Sequence, residues 1–125
     1  QNPLEPRIIL GDFNIAPHEH DVWSSKQLRD VVSHTPVERE NILKVQTAGQ
    51  WVDTHRALTP MSDKLYSWWS YRARDWLASN RGRRLDHIWV SPALKSRLQD
   101  ATILPIARGW DKPSDHVPIM ARFAA

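Results

Sequence analysis

The apolar and polar positions along the chain predict four to five strands with two or three helices. A short apolar run over residues 7–10 ends at Gly11 and is typical of a buried strand that delivers Asp12 to a loop at its carboxyl end. In open α/β sheets, ligands usually lie at that end of a strand. Further strands are predicted over residues 65–71, 85–90, 101–107 and 117–123.

One helix is marked by local sequence at both ends. Residues 35–38 form a capping box, Thr-Pro-Val-Glu, with proline at the first helical position. The helix is expected to run to about Ala48, where Gly49 stops it. Its expected inner face consists of Val37, Ile42, Val45 and Ala48.

The remaining segments carry weaker patterns. Residues 22–33 have weak helical spacing, and a short helix is expected after Ser91-Pro92. Residues 50–58 predict a turn into an irregular stretch, and the arginine-rich residues 72–84 predict a loop. No repeat, linker or low-complexity tract interrupts residues 1–125, so the whole pattern predicts a single domain of α/β or α+β class.

Composition narrows the chemistry. The chain is 41% hydrophobic and 25% charged, which is typical of a globular protein. It contains no cysteine, so disulfides and thiolate metal ligands are excluded. Any metal must be held by oxygen or imidazole ligands, which favours hard cations such as Mg²⁺ or Mn²⁺. The net charge of +3 is compatible with a polyanionic partner but does not by itself indicate one.

The hydropathy of the chain and its first residues indicate where in the cell the protein is expected. No apolar run approaches the roughly 20 residues that a membrane span needs, and no signal peptide is expected. A cytoplasmic protein without a membrane segment is therefore expected. The chain starts at Gln1 on a proline-containing stretch, which suggests a cut through a longer chain.

Three polar segments lie next to predicted strands. Asp12-Phe13-Asn14 follows the first strand, Asp86 lies within the strand over 85–90, and Ser114-Asp115-His116 precedes the last strand. If those strands are neighbours, the segments converge at one rim. Phosphodiester hydrolysis needs a group that activates water, positive charge for the phosphoryl oxygens, and a carboxylate that orients a histidine. The residues that supply these parts are Asp12, Asn14, Asp86, Asp115 and His116.

Several of these features also have ordinary structural interpretations. Asp12 and Asn14 could bond their own backbone in a turn, and the segment before the last strand could be a polar loop. Asp86 needs a partner if it is buried, and His116 is the expected one. His87 faces the other side of the strand and is interpreted as structural. Residues 18–21 are interpreted as an exposed loop rather than a metal cluster.

The arginine-rich segment and the tryptophan pair each allow two interpretations. The arginines over residues 81–84 could bind phosphates or form a solvated loop. Of Trp68 and Trp69, one is expected to pack in the core and the other to stack on DNA bases.

Three motifs, in order, resemble those of the exonuclease III and AP-endonuclease group of the endonuclease/exonuclease/phosphatase superfamily. They are GDFNIAP at 11–17, NRGRRLDH at 80–87 and KPSDHVP at 112–118. Residues 66–72 resemble the group's tryptophan-bearing DNA-contact loop, and residues 51–56 also fit. The resemblance extends over nearly the whole chain.

The resemblance implies a role for each matched residue. Asp12 would be the acid/base group near the scissile phosphate, with Asn14 as its hydrogen-bonding neighbour. His116 would contact the phosphate and be oriented by Asp86, and Asp115 would be a metal ligand for Mg²⁺ or Mn²⁺. The implied DNA contacts, near an abasic lesion or a 3′ end, are Trp68, Arg72, Asn80 and Arg81.

The resemblance also implies half of a fold. The group's four-layer αββα sandwich has two similar halves, and this chain matches the C-terminal half: one mixed β-sheet with helices on one face. The N-terminal half, with its metal-binding Glu, neighbouring Asn and catalytic Tyr, has no counterpart before Asp12. A sheet face that normally meets the other half would be bare and apolar, so a homodimer through this face is expected.

Three functions follow as hypotheses. The first is a Mg²⁺-dependent nuclease that hydrolyses DNA phosphodiester bonds, of the exodeoxyribonuclease III or abasic-endonuclease type. The second is a phosphodiesterase or phosphatase of the same superfamily with a lipid or small phosphate substrate. The third is a catalytically impaired fragment that self-associates, because the metal-binding Glu is missing.

Overall fold

A computed structural model describes residues 4–125 of the chain. Regular elements alternate between short strands and helices, and single 3₁₀ turns lie at Glu19–Asp21 and Pro105–Gly109. The elements in chain order are β1 (Ile8–Asp12), α1 (Ser25–Leu28), α2 (Pro36–Ala48), β2 (Val52–Asp53), α3 (Thr54–Leu58), α4 (Trp76–Ser79), β3 (Asp86–Val90), α5 (Pro92–Lys95), β4 (Leu98–Ile103) and β5 (Ile119–Phe123). The expected mixture of helices and strands is confirmed.

The strands form two antiparallel sheets within residues 4–125. One sheet has the order β1-β3-β2, and β4 pairs with β5 in a second. The expectation of one mixed sheet is wrong in this respect. The central strand β3 already has a neighbour on each edge, and β2 passes into α3 after two residues. Strand β5 therefore meets β3 through side chains instead, packing Ile119 and Phe123 against the buried Ile88 and Val90.

The register of β1 on β3 brings the first two polar segments together. The two strands pair from Ile8 opposite Val90 to Asp12 opposite Asp86. Because side chains alternate along a strand, these directly opposed carboxylates lie on the same face. Strand β1 itself is exposed along its whole length, so the prediction of a buried strand is wrong. It is an edge strand of its sheet, so it has a hydrogen-bonded neighbour, β3, on one side only.

The helix predicted over residues 36–48 is confirmed at both ends. Thr35 Oγ1 accepts from the Glu38 backbone N–H, the Glu38 side chain returns to the Thr35 backbone, and Gly49 is the C-cap. The predicted inner face is mostly wrong, because only Ile42 of its four members is buried. Most of α2 is exposed, so its buried contact with the rest of the protein is narrow.

Several boundaries differ from the predictions. Within residues 22–33 only α1 is helical, and residues 50–58 form β2 and α3 rather than an irregular stretch. Residues 65–71 are not a strand, although Trp68 makes isolated bridges to Arg83 and His116. The expected loop over 72–84 contains α4, and the strand predicted at 101–107 covers 98–103. These elements are short, so tertiary contacts rather than local pattern set their bounds.

The core is divided into three apolar clusters, and two of them support polar residues at the rim. Leu85 packs with Ala16, Val22 and Leu28, and Val117 packs with Tyr66, Trp69 and Ala107. Leu85 immediately precedes Asp86, and Val117 immediately follows His116. Core packing therefore anchors the backbone next to both polar residues. In residues 4–125, no helix is long and apolar enough to cross a bilayer.

Candidate active site

The centre of the site is a hydrogen-bonded series of Ser67, Asp86 and His116. Asp86 Oδ2 lies 2.9 Å from His116 Nδ1 and accepts a 2.7 Å hydrogen bond from Ser67 Oγ. Since a carboxylate can only accept, the shared proton is on Nδ1. The pairing expected between Asp86 and His116 is present, and it leaves His116 Nε2 facing away from Asp86.

Ser67 is the residue of this series to which the sequence pattern assigned no role. It is fully buried, and its Oγ also accepts from the backbone N–H groups of Leu85 and Asp86. Its own carbonyl accepts from Val117 N at 2.8 Å. Ser67 thus links the start of β3 to the segment that carries His116. Its small side chain within an aromatic segment was the only local indication of this role.

Asp12 completes the group across a short gap. Its Oδ2 lies 3.7 Å from His116 Nε2, which is too long for a hydrogen bond but within ion-pair range. Its Oδ1 accepts from the backbone N–H of Asn14 at 2.9 Å, which is the turn that the sequence allowed. This turn does not prevent Oδ2 of the same carboxylate from facing His116. The backbone on both sides of Asp12 is well defined. Before it, Gly11 has φ of +144°, a region that L-residues rarely adopt. After it, Phe13 N donates to Leu85 O.

The electrostatics favour a protonated His116. Partial burial disfavours the charged ring, but the hydrogen bond to Asp86 and the charges of Asp86, Asp12 and Asp115 outweigh it. The pKa of His116 is therefore raised above its ordinary value. A cationic imidazole at this rim can donate a hydrogen bond to an anionic oxygen.

The other residues singled out from the sequence are distributed around this centre. Asp115 Oδ2 accepts from Trp68 Nε1 at 3.0 Å, and Asn80 Oδ1 accepts from Trp69 Nε1 at 3.0 Å. Trp69 is buried in the core, as expected for one member of the pair, and Trp68 is only partly buried. Arg72 and Arg81 are exposed and line a cavity together with Trp68.

The oxygen donors at the rim fit a hard divalent cation. Asp12, Asp86 and His116 place ligand atoms within 4.8 Å of one another. Asp86 uses Oδ2 to bond His116, and Asp115 uses Oδ2 to accept from Trp68, so each of these two carboxylates keeps its other oxygen for a ligand. Carboxylate oxygens are the ligands that Mg²⁺ and Mn²⁺ prefer.

Comparison with known proteins places this arrangement in a family. The model of the Endonuclease/Exonuclease/phosphatase family matches residues 1–116, which is most of the chain. The chain belongs to this family. It is 36% identical over 124 residues to exodeoxyribonuclease III of Haemophilus influenzae, covering 94% of this chain and 46% of that relative. The chain thus spans about half the length of the curated relatives it matches.

Solved structures of similar proteins confirm the family's fold here. An AP endonuclease from Archaeoglobus fulgidus superimposes with a TM-score of 0.93 at 30% identity, covering 100% of this chain and 48% of that one. The 3′ phosphatase NExo from Neisseria, bound to a product DNA hairpin, gives 0.87 at 32% identity, covering 94% and 45%. The expectation that the chain forms half of the αββα sandwich is confirmed.

A buried ionic network surrounds Arg84, two residues before Asp86. Arg84 is 1% exposed and donates to both carboxylate oxygens of Asp21 and of Asp53, at 2.8–3.0 Å. Arg56 also donates to Asp21, at 2.6 Å. Neither interpretation of the arginine run holds for Arg84, which is neither solvated nor available to a phosphate. The interpretation of Asp21 as part of an exposed loop is wrong as well, since it is fully buried.

His87 supports the loop that carries Asp12 and Asn14. It is fully buried, stacks on Phe13 and donates from Nε2 to the carbonyl of Ile15 at 2.8 Å. Its interpretation as a structural residue is confirmed. Burial and the nearby charge of Arg84 lower the pKa of His87 to about 4, so the ring is neutral at pH 7.

Acid is expected to destabilise the protein through buried histidines. Between pH 6.5 and about 4, an unfolded chain binds a proton at His87 that the folded chain does not, so stability falls as pH decreases. The shift corresponds to about 3 kcal/mol for His87. His18, His34 and His55 have pKa values lowered in the same direction. Urea unfolding at several pH values measures this slope.

A His87→Gln variant tests the assignment, because glutamine keeps an N–H donor but does not titrate. The variant should lose less stability than the parent between pH 6.5 and 4. Asp53 affects stability in a separate pH range. Its pKa is about 2, so its contribution to stability is lost only below about pH 3.8. An identical slope in both proteins would contradict the role of His87.

Proposed function

We propose that this chain carries the C-terminal part of the active site of a divalent-metal-dependent nuclease that hydrolyses DNA phosphodiester bonds. The observation that carries the proposal is the Asp86–His116 pair at 2.9 Å, with Asp12 facing His116 Nε2 at 3.7 Å, inside a chain of this family. Relatives named as exodeoxyribonucleases support DNA as the substrate.

The proposed chemistry assigns one task to each residue. Protonated His116 donates from Nε2 to a non-bridging phosphate oxygen, and Asp86 holds the ring in this orientation by accepting from Nδ1. Asp12 accepts the proton of the attacking water, and the backbone of Asn14 orients Asp12. The new P–O bond forms as the bond to the leaving oxygen breaks. Asp115 would hold Mg²⁺ or Mn²⁺ through a carboxylate oxygen, and the metal would neutralise phosphate charge.

Cleavage assays with defined substrates test the function. The chain should cut duplex DNA that contains an abasic site or a recessed 3′ end with Mg²⁺ or Mn²⁺, and not with EDTA. It should not release phosphate from an inositol phosphate, the alternative substrate class of the superfamily. Metal-independent cleavage, or preferential turnover of the inositol phosphate, would contradict the proposal. Cleavage that appears only after the N-terminal half of a relative is added would favour the impaired-fragment alternative.

We also propose that the chain forms a homodimer through the exposed face of β1. Ile8 and Leu10 lie on the same face of this edge strand and are 50% and 63% exposed, which gives two neighbouring apolar side chains in contact with water. Monomers rarely keep contiguous apolar surface in water, and pairing two copies would cover it. Light scattering should report about twice the 14.5 kDa chain mass.

A charge in this surface should prevent the association. Leu10→Glu is expected to give a monomer, whereas Val32→Glu, at an apolar residue that is 74% exposed outside β1, should leave the mass unchanged. A parent chain that stays a 14.5 kDa monomer at high concentration would contradict the proposed dimer.

A further inference from the structure

Arg108 is a buried cation that none of the site motifs contains. It lies in the 3₁₀ turn Pro105–Gly109 and is 5% exposed, and no carboxylate in the described part of the chain forms an ion pair with it. Arg84, in contrast, is buried between Asp21 and Asp53. Burying a guanidinium without a counter-charge costs free energy, and an apolar side chain of similar size would fill the same space at lower cost. Arg108 therefore contributes something other than volume.

The guanidinium of Arg108 holds three consecutive residues. Its Nε donates to the Trp69 carbonyl at 3.0 Å, and its Nη2 donates to the Ser70 carbonyl at 3.4 Å. Its central carbon lies 4.9 Å from the ring centroid of Tyr71. A planar guanidinium can make all three contacts at once because its donors are fixed in one plane, whereas the ammonium of a lysine has neither the plane nor the fixed donors.

The residues held by this guanidinium are bonded to the segment that carries the site histidine. Trp69 N donates to Asp115 O at 3.0 Å, so one residue joins the guanidinium at its carbonyl and the rim at its N–H. Tyr71 Oη donates to the Pro113 carbonyl at 2.7 Å, and Trp68 Nε1 donates to Asp115 Oδ2 at 3.0 Å. A shift of this segment would therefore move the carboxylate that is proposed to hold the metal.

We propose that Arg108 is a positioning residue for the nuclease reaction, which fixes residues 69–71 and through them Asp115. His116, the next residue, would be held by the same contacts. The inference rests on the proposed nuclease function and extends it to a residue that is too buried to touch DNA. Such support matters because a misplacement of about 1 Å can cost roughly 100-fold in rate.

Hydrogen exchange of the Trp68 indole N–H reports the position of this segment without any cleavage. NMR of the intact chain would follow the signal, and Trp68→Phe would assign it. Arg108→Met fills the space but has no donor, so the Trp68 indole should exchange severalfold faster. The buried indole of Trp89 in β3 is the internal reference and should change less. Unchanged exchange at Trp68, or equal acceleration at both indoles, would overturn the proposal.

Two further variants separate the geometry of the guanidinium from its charge. Arg108→Lys keeps the charge but not the planar donors, so Trp68 exchange should lie between that of the parent and that of Arg108→Met. Parental exchange in Arg108→Lys would overturn the proposal even if Arg108→Met does not fold. Arg97→Met is the matched control, because Arg97 also donates from Nε to a carbonyl, that of Ala124 at 3.1 Å, but is exposed. It should leave Trp68 exchange unchanged.

Cleavage kinetics provide the second readout. Arg108→Met should lower kcat for metal-dependent cleavage of abasic DNA by roughly 10- to 100-fold, the usual effect of losing a group that orients a metal ligand. Its KM should change little, because Arg108 makes no contact that strengthens DNA binding in the ground state. A raised KM with an unchanged kcat would overturn the positioning role.

The two readouts distinguish this inference from the proposed function. Faster Trp68 exchange in Arg108→Met, with a parent chain that does not cleave DNA, would contradict the nuclease but support the hold of Arg108 on the segment. Metal-dependent cleavage by the parent, matched by an equal kcat in Arg108→Met, would support the nuclease and overturn this inference.

Discussion

Replacing His116 by alanine is expected to lower the rate of metal-dependent DNA cleavage by roughly 10²- to 10⁴-fold, the usual contribution of one positioned proton donor. The ring bonds Asp86 at 2.9 Å and faces Asp12 at 3.7 Å. The imidazole is about one-third exposed, so its loss should change stability little. Single-turnover kinetics with matched urea unfolding curves would separate the two effects.

Asp12→Asn should reduce cleavage to a similar extent, because an amide cannot accept the proton of water. Asp30→Asn makes the same chemical change at an exposed residue away from the rim, so it should cleave like the parent. If His116→Ala or Asp12→Asn retained near-parental rates, the assignment of these residues would be wrong.

The pH profile tests whether Asp86 acts through His116. If the protonated ring is required, the rate falls as pH rises through the pKa of His116, which is raised above its ordinary value. Asp86→Asn removes the negative charge and the strongest acceptor, so the pKa should return toward 6.5 and the alkaline limb should move to lower pH. A lower rate with an unmoved limb would indicate that Asp86 serves only the fold.

Replacing Arg84 by alanine is expected to destabilise the protein by about 3–5 kcal/mol. Arg84 is the cation shared by Asp21 and Asp53, and each of these carboxylates is less than 10% exposed. Its loss would leave Asp53 without its cationic partner and Asp21 with Arg56 alone. The midpoint of urea unfolding measures the change.

Two further variants separate lost charge compensation from lost volume. Arg84→Met fills the space but leaves both carboxylates, so it should remain strongly destabilised. Adding Asp21→Asn and Asp53→Asn to Arg84→Met should recover much of the stability, because neutral amides cost less to bury than unpaired charges. Arg29→Ala, at an exposed arginine, should change stability by no more than about 0.5 kcal/mol. Similar midpoints for Arg84→Ala and Arg29→Ala would contradict the importance of the network.

Local patterns in the sequence determined the elements whose signals are short in range. The Thr35 capping box and Gly49 set the bounds of the longest helix, because capping depends on residues within one turn. The strand at 86–90 followed from an alternating pattern, and the strand that ends at Asp12 followed from an apolar run and a glycine. The motif residues Asp12, Asp86 and His116 also pointed to one rim, and the structure brings these three together.

Tertiary structure alone decided what depends on contacts between distant segments. The sequence could not show that Arg84 would be buried between Asp21 and Asp53, since these residues are separated by 63 and 31 positions. Nor could it show Ser67 holding Asp86, or an exposed β1, because burial depends on what packs against each strand. Charged residues look solvent-exposed in a sequence, and only the fold reveals which of them find partners inside.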